Sequence, residues 1–423
     1  MAPVAIVALV LILARWFAEF WLSRLNEQHV RAHAAEVPAA FKEVIDEPTY
    51  RKSVEYTLAK SRFANVTEFF DVLVLMALLF SGLLPRAFNS WTHQFGTAIW
   101  SMAAFLFATG VMVSLIGLPF DWYAQFKLEQ RFGFNTTTMG VWILDRVKGL
   151  LLACVFGLPL LMLVLKIIDW TGANWWLWAW AAVVLFQLLM MLIAPALILP
   201  LFNKFTPLPE GSLRERLFAL AKKTGFPTRS IDVMDGSKRS RHSNAFFTGF
   251  GRFRKIVLFD TLVAQLNETE LEAVLAHEIG HYKKRHIMKL LAVSIFGMLA
   301  AFAAIAWLAR QDWFYRAFGF EPPSGFGASS IVPAFLLFGL LSGTLSFWLT
   351  PIMSSWSRRF EYEADAFARD TMTESGSLIG ALRKLNEKNL SNLTPHPLYS
   401  GFHYSHPTLL EREQALLAAP ASV

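Results

Sequence analysis

Five consecutive residues of this 423-residue chain combine two metal-binding side chains with a proton acceptor: His277, Glu278, Ile279, Gly280 and His281. Apolar residues recur around them at three- and four-residue spacings without a proline, which predicts a helix. On a helix, His277 and His281 project from one face because they are four residues apart. Two neutral imidazoles held in this way supply half of a tetrahedral zinc site, and Glu278 is placed to take a proton from an attacking water. The pattern therefore predicts a zinc-dependent hydrolase.

Two acidic residues later in the chain are candidates to complete this metal site. Glu361 and Asp365 are also four residues apart, so a helix would carry both carboxylates on one face. We expect Glu361 to bind the metal and Asp365 to accept the free N–H of a ligand histidine, which fixes the orientation and tautomer of the ring. Glu363 points to another side of the helix and is a poorer candidate. Such acids ordinarily belong to a solvated helix face, but their position after the His-Glu-x-x-His helix favours a role at the metal.

The rest of the chain has the composition of a membrane protein. Hydrophobic residues make up 55% of it, the mean hydropathy is +0.41, and there are 15 Trp and 38 Phe. Seven apolar segments are long enough, or nearly so, to cross a bilayer. They are residues 3–22, 69–84, 97–119, 150–168, 175–202, 286–308 and 331–353. The first segment lacks the basic start and the small-residue cleavage site of a signal peptide, so we interpret it as a membrane anchor.

Positive charge predicts how these segments are oriented. The first loop, residues 23–66, contains seven Lys or Arg, and the third and fifth loops are also basic, whereas the alternate loops are sparse in positive charge. By the positive-inside rule, the odd loops and the C-terminus face the cytoplasm and the N-terminus lies outside. Both halves of the predicted metal site therefore fall on the cytoplasmic side.

The net charge of +7 and the isoelectric point near 9.4 are explained by these loops, which orient the spans and contact anionic lipid. No nucleic-acid partner is needed to account for them. The only cysteine, Cys154, lies within the fourth apolar segment. This excludes an intrachain disulfide, and a thiol in an apolar helix is inert packing, so cysteine nucleophile chemistry is excluded as well.

The fifth loop is the main water-soluble part of the chain. Residues 211–224 have the pattern of a helix, 230–234 of a short strand, and 243–248 and 255–259 of two strands joined by a glycine-rich turn at 249–254. A strand beside the metal helix can bind an extended peptide by edge addition. Asn244 is a candidate to hydrogen-bond that peptide, with an ordinary strand-end amide as the alternative.

We divide the chain into four segments. Residues 1–202 hold spans one to five with their cytoplasmic loops, and 203–286 form a cytoplasmic catalytic region that contains the metal helix. Residues 287–353 hold spans six and seven, and 354–423 form a C-terminal catalytic region with the third metal ligand.

Several sequence blocks resemble one known family, the type I CAAX prenyl endopeptidases, which are integral-membrane zinc proteases of the gluzincin kind. The blocks follow the order of that family and extend over nearly the whole chain. They are Tyr50-Arg-Lys-Ser, Ala59-Lys-Ser-Arg-Phe63, Lys127-Leu-Glu-Gln-Arg-Phe-Gly-Phe-Asn135, Ser240-Arg-His-Ser-Asn-Ala-Phe246, Ile256-Val-Leu-Phe-Asp-Thr-Leu262, the metal helix, Arg358-Arg-Phe-Glu-Tyr-Glu-Ala-Asp365 and His403-Tyr-Ser-His-Pro-Thr-Leu-Leu-Glu-Arg412.

The resemblance implies an α-helical multi-pass fold in which seven transmembrane helices enclose a water-filled chamber. A small α+β zinc metalloprotease domain, built from the fifth loop and the C-terminal tail, closes its cytoplasmic end. The implied activity is removal of C-terminal tripeptides from prenylated CAAX proteins, with one Zn²⁺ per chain held by the two histidines and Glu361. The resemblance also places His406 near the substrate as a donor to the developing oxyanion, with Asn244 beside it and Arg412 as a further neighbour of the site.

Other functions are compatible with part of the sequence. A transporter would have several spans, but charges are rare at the centres of these, and Arg15 and Glu19, four residues apart in the first span, are expected to pair with each other. An intramembrane protease of the site-2 type would carry its His-Glu-x-x-His within an apolar span, which this chain does not. A broad-specificity protease that degrades damaged membrane proteins without prenylated substrates is the main alternative.

The expected partners are the lipid bilayer and a peptide or protein substrate, prenylated or not, while the sequence leaves the oligomeric state open. The alanine- and arginine-rich composition favours a bacterial inner membrane, and the endoplasmic reticulum membrane is the expectation for a eukaryotic source.

Overall fold

A computed structural model of the chain describes residues 3–248, 254–372 and 376–418, and most of these are helical. The α-helices are α1 Pro3–Ala32, α2 Glu47–Phe80, α3 Leu83–Phe95, α4 Ile99–Tyr123, α5 Gln130–Phe132, α6 Met139–Leu152, α7 Leu158–Thr171, α8 Trp175–Ile193, α9 Leu199–Phe202, α10 Ser212–Lys223, α11 Asp260–Gln265, α12 Glu268–Lys283, α13 His286–Leu308, α14 Asp312–Ala317, α15 Ala328–Ser346, α16 Thr350–Thr371, α17 Gly376–Lys388, α18 Pro397–His403 and α19 Leu409–Ala418.

Six helical runs within the described residues are long and apolar enough to cross a membrane. They are Pro3–Ala32, Glu47–Phe80, Ile99–Phe132, Met139–Phe202, His286–Leu308 and Ala328–Thr371. The fourth run has 64 residues, which at the rise of a straight α-helix would reach about 96 Å, roughly three times the hydrocarbon thickness of a bilayer. It is divided at Gly172, where a positive φ of 56° ends α7 and lets α8 pack against it. This hairpin makes two crossings, which is consistent with the seven predicted.

The helical runs extend beyond their apolar parts into the predicted cytoplasmic region. We predicted a loop at residues 23–66, but α1 continues to Ala32 and α2 begins at Glu47. The start of α2 is stabilised by its cap, because the Asp46 side chain accepts a hydrogen bond from the backbone N–H of Thr49 at 2.8 Å and Pro48 occupies the first turn. The membrane helices therefore also form walls of the catalytic region.

The proposed pairing of Arg15 with Glu19 in the first span is wrong. Arg15 Nη2 instead lies 3.3 Å from Glu68 Oε2 on α2, and Glu19 Oε1 lies 3.6 Å from His403 Nε2 on α18. The two residues therefore tie α1 to a neighbouring span and to the C-terminal tail.

The spans pack loosely against one another. In five of the six runs at most 22% of the most apolar window is buried within the protein. Helices with so little buried surface expose most of their apolar residues, as expected of helices that face lipid.

A four-stranded sheet lies beside these helices. Its strands are β1 Phe205–Pro207, β2 Ser230–Met234, β3 Ala245–Thr248 and β4 Lys255–Phe259, in the order β1–β2–β4–β3. β2 and β4 are parallel, and β3 pairs antiparallel with β4, with Ala245 opposite Leu258. The three strands predicted from sequence are confirmed, the three-residue β1 was not predicted, and most of the predicted turn at 249–254 lies outside the described residues.

The catalytic region has its own hydrophobic core, separate from that of the spans. Ile231 and Ile256 of the sheet, Leu217 of α10, and Leu275 and Ile279 of α12 are buried in it. The core fixes α12 against the sheet, and α16 packs on the other side of α12. The metal helix is thereby held between the sheet and the end of the last span.

Candidate active site

The helix that carries the His-Glu-x-x-His pattern is firmly capped. The Asn267 side chain accepts from the backbone N–H of Glu270 at 2.9 Å, and the Glu270 side chain accepts from the backbone N–H of Asn267 at 2.9 Å. This reciprocal pair satisfies two of the free N–H groups at the helix start. Glu270 also binds Lys384 of α17 at 2.8 Å, so the capped end is anchored to the C-terminal region.

Gly280 allows the two helices of the site to approach closely. A Cβ added at Gly280 would lie 2.9 Å from Ala364 Cα and 3.0 Å from its carbonyl oxygen. Any side chain at this position would therefore push α16 away from α12. The missing Cβ lets Glu361 and Asp365, on either side of Ala364, reach the histidines of α12.

The three predicted ligands converge at this crossing. His277, His281 and Glu361 offer ligand atoms that all lie within 4.8 Å of one another. The Nε2 atoms of the two histidines are 3.1 Å apart, and the Glu361 oxygens lie 3.4 Å from His277 Nε2 and 3.3 Å from His281 Nε2. Ligands at the usual bond lengths of tetrahedral zinc are separated by about 3.3 Å, so the spacing suits such an ion.

The hydrogen bonds made by the proposed ligand residues indicate whether this site suits a cation. His277 Nδ1 lies 2.8 Å from Asp365 Oδ1, a carboxylate that can only accept, so Nδ1 carries the proton and Nε2 presents a lone pair. That lone pair faces the Nε2 of His281 and the Glu361 carboxylate. Among the described residues, the buried Glu361 Oε2 has no hydrogen-bond partner. Converging acceptors with a buried, unpaired oxygen fit a metal ion, which would satisfy all of them.

Asp365 and Arg412 form a buried pair behind His277. Arg412 Nε and Nη2 donate to the two Asp365 oxygens at 2.8 and 2.6 Å, and Arg412 Nη1 lies 3.7 Å from Glu361 Oε2. Burial lowers the pKa of His277, but its contacts with Asp365 and Glu361 outweigh this and raise the pKa to about 9. Without metal, the site therefore favours a second proton on His277, at Nε2, and metal binding must displace this proton to free the lone pair of the neutral ring.

Glu278 lies one residue beyond His277 and is partly buried. Burial raises its pKa, and the nearby His277 and His281 act in the opposite direction. No described residue hydrogen-bonds its carboxylate, so the group is available to substrate and water. Its position next to the converging ligands suits a proton acceptor.

His406 also reaches this site, from the C-terminal tail. Its Nε2 lies 3.5 Å from Glu361 Oε1, and its side chain is 64% exposed, so a substrate can reach the ring. The hydroxyl of Ser405 lies 2.9 Å from His406 Nδ1. The ring is therefore close to the ligands and open to the cleft.

The tail that carries His406 is held by Arg358, which the sequence did not single out for a role. Arg358 Nη1 donates to the carbonyl oxygens of Ser400, Gly401 and Tyr404 at 3.3, 3.0 and 2.8 Å. These carbonyls end α18, where positive charge is favourable. Arg358 lies one turn before Glu361, so one helix places both a ligand and the segment that ends in His406.

Asn244 precedes the edge strand β3, which contacts α12. Its side-chain oxygen accepts from the backbone N–H of Ala245 at 2.8 Å, and its exposed side chain leaves the amide nitrogen without a described acceptor. Within the described part of the sheet, β3 pairs only with β4, so its second edge is open. Asn244 therefore lies where an added peptide strand would run.

A cavity of about 610 Å³ adjoins the site, lined at one end by His406 and Arg412 and along its length by α2 and the C-terminal region. Three of its lining residues, Tyr56, His242 and Asn389, belong to a polar cluster that also includes Glu129 and that the sequence did not predict. Tyr56 donates to Glu129 at 2.7 Å, and His242 lies 3.5 Å from Glu129 and 3.0 Å from Asn389. The cluster brings together four distant parts of the chain, so no local sequence pattern predicts it.

His286 and Glu363 complete the surroundings of the ligands. His286 is 2% exposed and lies between His281 and Glu363. The sequence predicts no role for His286 and makes Glu363 only the poorer ligand candidate.

The chain is similar to known membrane proteases along nearly its whole length. A family model described as "CAAX prenyl protease N-terminal, five membrane helices" matches residues 26–204, and the model of peptidase family M48 matches residues 207–419. CAAX prenyl protease 1 of Saccharomyces cerevisiae is 37% identical over 92% of this chain and 90% of its own length. The CAAX prenyl protease 1 homologue of Homo sapiens is 32% identical over 96% and 94%.

A solved structure is similar over its whole length. The crystal structure of S. mikatae Ste24p aligns with a TM-score of 0.91 at 36% identity, covering 98% of this chain and 99% of that one. The family resemblance drawn from the sequence is thereby confirmed, as is the class of fold. The chain belongs to peptidase family M48 and is a membrane metalloprotease.

Proposed function

We propose that this chain is a zinc endopeptidase that removes C-terminal residues from CAAX proteins. The observation that carries the proposal is the convergence of His277, His281 and Glu361 next to the unbonded carboxylate of Glu278. The relatives named CAAX prenyl protease 1, which align over nearly their full length, supply the substrate class.

His277, His281 and Glu361 would hold one zinc ion, which supplies Lewis acidity for the scissile carbonyl and for the attacking water. Glu278 takes the proton of that water and delivers it to the leaving amine. His406 donates to the oxyanion that develops on the scissile carbonyl.

Two further groups would position the reacting atoms. The substrate backbone adds to the open edge of β3, where Asn244 hydrogen-bonds it. Arg412 and Asp365 hold His277 in the tautomer that presents Nε2 to the metal.

The main alternative, a quality-control protease without prenylated substrates, has no support in the relatives. To separate the two, purified protein in liposomes is given a farnesylated peptide with a CAAX terminus and the same peptide without the farnesyl group. Mass spectrometry is expected to find loss of the C-terminal tripeptide from the farnesylated peptide, and none with Glu278→Gln. Equal cleavage of both peptides would favour the alternative, and cleavage of neither would contradict the proposal.

Replacing His406 by alanine is expected to lower turnover by roughly a hundred-fold, as for the loss of one oxyanion donor. The zinc content and KM should change little because the bond forms mainly in the transition state. The measurement is steady-state hydrolysis with zinc analysis, and His93→Ala, an exposed histidine on α3, is the control. Near-normal turnover of His406→Ala would show that His406 has no catalytic role.

We further propose that the catalytic site faces the cytoplasm and the N-terminus lies outside, on the basis of the basic odd loops. In a background with Cys154 replaced by alanine, Glu210→Cys should react with a membrane-impermeant thiol reagent only from the cytoplasmic side. A cysteine at Arg316 should react only from the opposite side. Cytoplasmic labelling at Arg316 would contradict seven spans.

The division at residues 202, 286 and 353 into membrane and catalytic segments remains part of this proposal. The bacterial inner membrane, favoured by composition, has no support from these eukaryotic relatives, and the endoplasmic reticulum is the corresponding proposal for a eukaryotic source.

A further inference from the structure

A chain of side chains connects the metal ligand His281 to a carboxylate on the last membrane run. His281 Nδ1 lies 3.0 Å from His286 Nδ1, and His286 Nε2 lies 3.1 Å from Glu363 Oε2. Both distances are those of hydrogen bonds. The buried His286 therefore contacts the ligand on one side and an acid on the other.

The proton positions in this chain follow from its ends. Glu363 is a carboxylate and can only accept, so His286 Nε2 carries a proton. A neutral His286 then presents a lone pair at Nδ1, and this lone pair accepts from His281 Nδ1–H. The remaining nitrogen of His281, Nε2, is left with its lone pair directed towards His277 and Glu361. This is the tautomer that a metal ligand requires.

The backbone must turn sharply for His286 to reach His281. In an unbroken helix, residues five apart are separated by about 140° around the axis, so the two rings could not meet. α12 ends at Lys283 and α13 begins at His286, and between them Arg285 has a φ of 56°. This left-handed conformation is costly for a residue with a side chain. The junction between the metal helix and the sixth span thus folds His286 back onto the ligand.

The ring and the acid are both held in place. The His286 ring stacks on Phe360 with centroids 4.1 Å apart and planes 10° from parallel. Glu363 lies 3.3 Å from Arg359 Nε and 3.7 Å from Lys289 Nζ, which keep a negative charge at this position. His286 is therefore constrained by packing on its face and by charge at its far edge.

We propose that His286 and Glu363 are positioning residues that fix His281 as a metal ligand, as Asp365 does for His277. The inference rests on the proposed metal at His281. Because His286 begins α13 and Glu363 lies on the run that ends the seventh span, the metal centre is coupled to two membrane helices.

The test replaces His286 by phenylalanine, which keeps a ring for Phe360 but removes both nitrogens. The dissociation constant for zinc, measured by chelator competition, is expected to rise 10- to 100-fold, as for other partners of metal-bound histidines. His286→Gln, whose amide can accept and donate, should recover part of the affinity. Glu272→Gln, which removes a surface pair between α12 and α10, should stay within about twofold.

Combining two substitutions separates this positioning role from a general destabilisation of the fold. As a single variant, Glu363→Ala should weaken zinc binding. Combined with His286→Phe, it should cause little further loss of zinc affinity, because both residues act through His281. Additive losses, or zinc binding of His286→Phe within twofold of the parent, would overturn the inference. His281→Ala is the reference for the metal itself, and undiminished zinc binding there would instead contradict the proposed function.

The junction offers a second variant in case His286→Phe does not fold. Arg285→Gly should retain zinc affinity, because glycine adopts positive φ freely, whereas Arg285→Val should lower it. Equal zinc affinities for these two variants would contradict the role of the left-handed turn.

Discussion

Glu278→Ala is expected to lower hydrolysis by about a thousand-fold or more while the chain still binds one zinc ion. A general base contributes up to about 10⁴ to the rate, and no other described acid lies free beside the ligands. Zinc should stay bound because the substitution leaves the three proposed ligands, His277, His281 and Glu361, in place. The measurements are peptide hydrolysis and zinc content of the purified protein.

The matched control for this prediction is Glu272→Gln. Glu272 lies on the same helix but forms a surface pair with Arg216, at 2.7 Å, away from the ligands. Loss of this surface pair should leave the rate of hydrolysis within about twofold of that of the unsubstituted protein, as is usual for such pairs. A large loss of zinc from Glu278→Ala would contradict the role of a base that is not a ligand and would place Glu278 in the metal shell.

The residues of the proposed metal site could be predicted from sequence because each pair is local. His277 and His281, like Glu361 and Asp365, are four residues apart, and helical geometry alone puts each pair on one face. That the two helices meet is a tertiary fact, which depends on packing around the missing Cβ of Gly280. The pattern predicted the residues, and the structure supplies their distances.

Two other residues that support the site, His286 and Arg358, could not be predicted in this way. His286 is five residues from His281, a spacing that excludes contact on a regular helix, and only the left-handed Arg285 makes it possible. Arg358 contacts backbone carbonyls more than 40 residues away. Every residue has such a carbonyl, so the sequence does not indicate which of them Arg358 contacts. Such contacts depend on the fold as a whole.

The ends of the membrane helices could likewise not be predicted from sequence. Hydropathy located the apolar centres of the helices, but α2 continues through a polar stretch that begins at Glu47, and α16 continues to Thr371. These extensions lie outside the bilayer core, so an apolar window cannot detect them. They matter for function, since α16 carries Glu361 and α2 lines the cavity beside His406.

Glu361→Ala is expected to lose most of the bound zinc together with hydrolysis. Two histidines alone leave a tetrahedral site half filled, whereas structural and catalytic zinc sites have at least three protein ligands. The substitution also leaves Arg412, which lies 3.7 Å from Glu361, facing the metal without that carboxylate. Both the lost ligand and the uncompensated positive charge oppose a bound cation.

The measurement for Glu361→Ala is the zinc dissociation constant, with Asp365→Ala as the comparison on the same helix. Asp365 touches His277 but is not a ligand, so its loss should weaken binding about 10- to 100-fold, less than the loss of Glu361. Full zinc occupancy in Glu361→Ala would reject Glu361 as the third ligand. The assignment would then pass to Asp365, which contacts His277, or to Glu363, which contacts His286.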